Sequence, residues 1–151
     1  MTDRVTGDAF LKRLNREIPL TCHMGLSAPL WDGHNLEMPA ALLPNVNDKG
    51  TGFGGAQVAL ATLCGWSLTT LWLEEQGIKA AVVVKDSQVE YLKPVTGDFT
   101  VVSHLPEADE LASVLAQFEQ RGRTRLRLQV EVRQGEKVAS RLQGQYVAFL
   151  P

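Results

Sequence analysis

Apolar positions follow two different periods along this chain. Near its start, Phe10, Leu11, Leu14 and Ile18 recur at helical spacing and Pro19 stops the run. That predicts an amphipathic helix over 8–17. Residues 24–42 predict two short strands about the turn Asp32-Gly33. Segment 43–53 carries the densest turn chemistry and predicts irregular backbone. From Gly55 to Leu73, apolar residues occupy nearly every side of about five helical turns, the pattern of a helix buried on most of its circumference. Gly77 is the expected C-cap. Beyond it the period drops to two. Ala80 to Leu92 reads as a valine-rich strand ended by Pro94, and Thr96-Gly97-Asp98 turns it back into a strand over 99–105, a hairpin. A second amphipathic helix begins near Pro106, with Leu111, Val114, Leu115 and Phe118 as its buried face and Gly122 as its C-cap. From Arg123 to Arg133, Leu126, Leu128, Val130 and Val132 alternate with polar residues, a half-buried antiparallel strand. Gln134-Gly135 returns the chain as a partner strand over 138–150. The whole is α+β, one antiparallel sheet wrapped around one long apolar helix. A helix buried so fully needs more cover than one small sheet gives, and a homodimer supplies it.

Composition narrows this picture. A length of 151 residues fits a single domain, 1–151. With 44% hydrophobic and 21% charged residues, wholesale disorder is excluded. A net charge of −2 offers no broad basic field for nucleic acid. Cys22 and Cys64 cannot form a disulfide framework and suit a reducing, cytoplasmic compartment as small apolar residues. The opening stretch, 1–18, is charged throughout and carries no signal peptide. The 24 uncharged residues from Gly50 to Leu73 are the sole membrane candidate. They open with loop chemistry, Gly-Thr-Gly-Phe-Gly-Gly, and include Gln57, Thr62, Ser67, Thr69 and Thr70. No cluster of positive charge flanks them. A core helix, with no membrane contact, is the expected reading.

The same run carries the candidate chemistry. Gly50-Thr-Gly52-Phe-Gly54-Gly55 fits G-x-G-x-x-G, but no apolar strand precedes it and no βαβ unit follows, so dinucleotide binding is not expected. What survives is physical. Glycines admit a close backbone approach, and the first N–H groups of a helix lack internal partners and suit a polarised carbonyl. Asn45, Asn47, Asp48 and Lys49 crowd this entrance, where helix capping is the expected role and loop fixing the alternative. Asp86 and Ser87 interrupt a valine-rich strand. A carboxylate there faces outward unless it is hydrogen-bonded or lines a cavity. The three histidines lack metal-ligand spacing, so neither metal nor cofactor is expected. No G-x-S-x-G elbow is present. Arg121, Arg123, Arg125, Arg127 and Arg133 form a solvated strand face or, functionally, a patch for the phosphates of a carrier such as coenzyme A.

The segment Pro44-Asn-Val-Asn47-Asp-Lys-Gly50-Thr-Gly-Phe-Gly54-Gly55, a long apolar helix, and then Asp86-Ser87-x-x-x-Tyr91-Leu92-Lys93-Pro94-Val95-x-Gly97-Asp98 resembles the hot-dog superfamily. Within it, the chain is most similar to the thioesterases typified by the YiiD C-terminal domain. The resemblance implies the hot-dog fold, a homodimer (or tetramer) with sites at the subunit boundary, and acyl thioesters of coenzyme A or acyl carrier protein as substrates. It implies that Asn47 positions water or thioester and that the Gly54 N–H polarises the carbonyl. Phe53, Asp48, Gly55 and Ser87 would line the substrate. Phe53 stands where many relatives place histidine, and Thr62 where many carry an acidic base. Asp86 is the expected substitute base and Asp48 the second candidate. A non-catalytic acyl-binding module is the rival reading. A dehydratase or isomerase of the same fold is a third, weakened because Phe53 and Thr62 remove the His and acid it needs.

Overall fold

A computed structural model of the chain describes residues 4–151; Met1–Asp3, the first of the charged opening stretch, lie outside the described residues. Helix α1 spans Arg4–Glu17 and buries Phe10 and Leu14. It begins earlier than its apolar stripe and stops where Pro19 opens a 3-10 turn, Pro19–His23. Strands β1 (Leu30–Trp31) and β2 (Asn35–Ala40) meet about the expected turn. There Asp32 accepts the N–H groups of His34 (2.8 Å) and Asn35 (2.6 Å). Helix α2 runs Gly54–Glu75, followed by β3 (Ala81–Tyr91), β4 (Phe99–His104), α3 (Ala108–Arg121), β5 (Arg123–Gln134) and β6 (Lys137–Phe149).

The six strands form one antiparallel sheet in the order β1-β2-β4-β5-β6-β3. This corrects the expected hairpin of 80–92 with 99–105. β3 pairs with β6 at one edge, whereas β4 lies between β2 and β5. The backbone shows the cause. Leu92 and Lys93 both donate to the Ala139 carbonyl, and Val95 accepts from Gly52. The segment leaving β3 is thus held to β6 and to the entrance of α2, and cannot fold back on its own strand.

The sheet curls around α2. Leu60, Cys64 and Leu68 of the helix share one buried cluster with Met38, Val101, Leu126, Val130 and Leu142 of the strands. Such burial contributes about 1.5–3 kcal/mol per large apolar side chain. Gly65 permits the closest approach. A Cβ there would lie 2.2 Å from the Tyr146 ring and hydroxyl, and that hydroxyl donates to the Thr62 carbonyl at 3.0 Å. Burial pushes the Tyr146 phenol pKa well above its ordinary value. Among the described residues α2 is the one helix long and apolar enough to cross a membrane, and 67% of its most apolar window is buried inside the protein.

β3 is the exposed edge of the sheet. Its register with β6 slips between Val84, opposite Tyr146, and Asp86, opposite Gln145, leaving Lys85 as the extra residue of a bulge. Residues opposite Leu142, Gly144 and Tyr146 share the α2 side, and those opposite Gln143 and Gln145 share the polar side. The bulge therefore sends Asp86 to the outer face and Ser87 to the inner one.

Candidate active site at the start of the central helix

The site begins with a loop that holds itself. The Asn47 side-chain carbonyl accepts the N–H groups of Lys49 (2.8 Å) and Thr51 (3.1 Å), and its amide donates to the Thr51 hydroxyl at 2.9 Å. The Asn47 backbone N–H donates to Thr51 at 2.7 Å, which closes the turn. Asn45 is buried and donates to the carbonyls of Met24 and Ala41, both at 2.8 Å. Neither asparagine caps α2. Phe53 occupies the N-cap position and, among the described residues, no side-chain cap bond is made to the helix start, which corrects the capping expectation. The competing use won because each asparagine can close its own short turn.

This leaves the amides of Gly54 and Gly55 at the positive end of a 22-residue helix. Two contacts set their geometry. The Tyr91 hydroxyl, from the end of β3, donates to the Gly54 carbonyl at 3.0 Å, and a Cβ on Gly54 would lie 3.2 Å from that ring. A Cβ on Gly55 would lie 2.7 Å from the Phe53 ring. One turn further in, Gln57 bridges loop and sheet, donating to Gly52 at 3.1 Å and accepting from the buried Ser140 hydroxyl at 2.7 Å. Phe53 itself is 54% exposed and flanks the glycines from the solvent side.

The expected residues divide by place. Asn47, Asp48, Phe53, Gly54 and Gly55 gather at this entrance. Asp48 is exposed and pairs with Lys49 at 3.0 Å. Ser87 lies on the inner side of β3, opposite Gly144. The structure does not bring Asp86 to the others. Its carboxylate lies on the outer face, where it accepts from the Gln145 amide at 2.9 and 3.1 Å. Thr62 lines an apolar cavity of about 340 Å³ with Ala59, Leu63, Trp66, Val84 and Tyr146. Across the described residues, no group of three or more His, Cys, Asp or Glu is placed to hold a metal.

A helix start stripped of side-chain caps, beside an apolar cavity on the same helix, suits a carbonyl with an apolar tail. Comparison with known proteins points the same way. The profile of the family described as "Putative thioesterase (yiiD_Cterm)" matches residues 8–150.

The chain belongs to this family.

Solved structures agree on the fold. A protein of unknown function from Chlorobaculum tepidum superposes with a TM-score of 0.89 at 28% identity, over 97% of this chain and 95% of its own. A Shewanella oneidensis protein described as a "putative thioesterase" gives 0.82 at 28% identity, over 96% and 97%. A thioesterase from Haemophilus influenzae gives 0.71 at 20% identity, over 93% and 88%. The six-stranded sheet around α2 is the hot-dog fold of these proteins. In this member of the YiiD C-terminal family, Tyr91 and Gln57 brace the entrance, and neither was among the expected site residues. The signal for Gln57 was present as the first polar side chain after the glycines of the uncharged run. Tyr91 carried no sign of its partner, because its bond to Gly54 spans 37 positions.

Proposed function

We propose that the protein hydrolyses acyl thioesters of coenzyme A or acyl carrier protein. One observation carries this reading: the uncapped amides of Gly54 and Gly55 at the start of α2, with Tyr91 fixing the first turn. The thioester carbonyl oxygen lies against these amides, which stabilise the charge that develops as water attacks. Asn47 orders the loop that delivers that water. Ser87 and Phe53 flank the substrate. The acyl group follows the apolar face of α2.

The general base is a carboxylate on the entrance side of the sheet. Asp86 faces away from that side, so the role passes to Asp48, the carboxylate next to Asn47 in the same loop. The working unit is a homodimer. β3 supports this reading as an exposed edge of 11 residues bearing the half-exposed apolar side chains of Val83, Val84 and Tyr91. An open edge of this length is covered by another strand in a stable protein, and a second copy of β3 is a self-complementary choice. No cofactor takes part in this scheme, and the expected setting is the cytoplasm.

A non-catalytic acyl-binding module keeps one observation in its favour. α2 carries no carboxylate where an acidic base would be expected, at Thr62. The deciding experiment incubates the protein with short, medium and long acyl-coenzyme A and follows free thiol. Release from at least one chain length supports hydrolysis. Binding of every chain length without release overturns it in favour of the module.

A further inference from the structure

A separate, polar cavity lies at the start of β5, whereas Tyr91, which holds Gly54, aligns through Ser140 with the other end of that strand. Its volume is about 420 Å³, and Gln117, Arg121, Arg123, Thr124, Arg125 and Val147 line it. The sequence places these arginines together by two routes. Arg121 ends α3, and Arg123 and Arg125 are alternate exposed residues of β5. Among the described residues, none of the three forms an ion pair. The contrast lies at the other end of β5, where Arg133 and, from the neighbouring β6, Arg141 both pair with Glu131, at 2.6 and 3.3 Å.

The remaining lining fits the same ligand chemistry. The Thr124 hydroxyl donates to the Gln117 side-chain carbonyl at 3.1 Å. That bond uses the acceptor of Gln117 and leaves its NH₂ donors for a ligand. No described carboxylate lines the cavity; Gln145 accepts from Arg125 at 3.2 Å and passes a donor on to Asp86. Val147 is buried and gives the cavity an apolar wall. Three guanidinium groups and one amide therefore offer donors only. Such a set suits phosphate oxygens, which guanidinium groups bind in pairs of hydrogen bonds.

We propose that Arg121, Arg123 and Arg125 form a phosphate-binding site for a nucleotide that bears a phosphomonoester or diphosphate. The site is the anchor for the phosphate end of a coenzyme A-type donor, and that identification of its natural ligand rests on the thioesterase reading above. The binding chemistry stands on the arginines alone.

Calorimetric titration with inorganic pyrophosphate, adenosine 3′,5′-bisphosphate and unphosphorylated adenosine tests it. The expected result is binding of both phosphate compounds, no binding of adenosine, and affinity that falls as salt rises. An R123Q/R125Q double variant that melts like the wild type should bind at least tenfold more weakly, and R133Q should bind unchanged. No binding of either phosphate compound by the wild type, or equal binding by the double variant, overturns the proposal. A second assay separates this site from the hydrolytic reading. The double variant should raise KM for an acyl-coenzyme A while leaving KM for the matching acyl-pantetheine, which lacks the nucleotide, unchanged. Absence of turnover with either donor would count against hydrolysis alone, since the titration does not depend on it.

Discussion

The Tyr91 hydroxyl donates to the Gly54 carbonyl across 3.0 Å, joining the last residue of the edge strand to the first residue of the central helix. The bond fixes the direction of the α2 amides relative to the sheet. Tyr91→Phe removes it with little change of shape. A single net hydrogen bond contributes about 1 kcal/mol, so the melting midpoint should fall by about 2–4 °C in a chain of this size. Thioester turnover should fall more than stability does. Calorimetric melting and a thiol-release assay on the same preparation check both.

Gly65→Ala should be the most damaging small substitution in the helix. Its Cβ would meet the Tyr146 ring at 2.2 Å, in a buried place where the ring's hydroxyl is already bound to Thr62. Overpacking of this kind destabilises by about 1–3 kcal/mol. Urea unfolding should show a lower midpoint with an unchanged slope.

Asp86→Asn should keep near-wild-type thioester turnover, because that side chain faces Gln145 on the outer surface. Asp48→Asn should lower turnover by about 10²–10⁴, the range for loss of a general base. Parallel kinetics on the two variants decide between them. The reverse ranking would return the base to Asp86 and require the outer face to take part.

Asp32 sets a low-pH dependence. The Asn35 backbone N–H, the Asn35 side-chain amide and the His34 N–H all bond its carboxylate and lower its pKa from 3.8 to about 2. A carboxylate depressed in the folded state adds stability above its unfolded pKa, and that addition is lost as pH falls through the folded value. The gap in melting midpoint between wild type and Asp32→Ala should therefore be full at pH 5–7. It should narrow between about pH 4 and pH 2. Melting curves across that range check the sign.

The two free cysteines should react differently with a thiol reagent. Cys22 is exposed, and Cys64 is buried in the core, where desolvation raises its thiol pKa. One equivalent should label quickly in the native protein and a second only in denaturant.

Much of this fold is legible in the sequence wherever burial follows a local period. The alternation of Leu126, Leu128, Val130 and Val132 with arginines and glutamines defines β5, because one face packs on α2 and the other meets water. α2 is legible from its lack of charge. The order of strands is not, because the pairing of β3 with β6 joins positions that no local pattern connects. Asp86 shows the same limit at the scale of one residue. Simple alternation from Val84, which lies opposite the inward Tyr146, would put Asp86 on the α2 side. The extra residue at Lys85 reverses it, and lysine in a valine-rich strand gives no sign of a bulge. The glycines of the entrance were legible as chemistry. The asparagines were legible as turn formers, but which backbone groups they would hold depended on loops already folded around them.

In the proposed reaction the first amides of α2 hold and polarise the substrate carbonyl. The most direct test of this is isotope-edited infrared spectroscopy of a bound, non-hydrolysable acyl-coenzyme A analogue in which a methylene replaces the thioester sulfur. The carbonyl is labelled with carbon-13. A carbonyl held by the Gly54 and Gly55 amides should stretch at a lower frequency in the complex than in water. A frequency equal to or above the value in water would show that these amides do not polarise it.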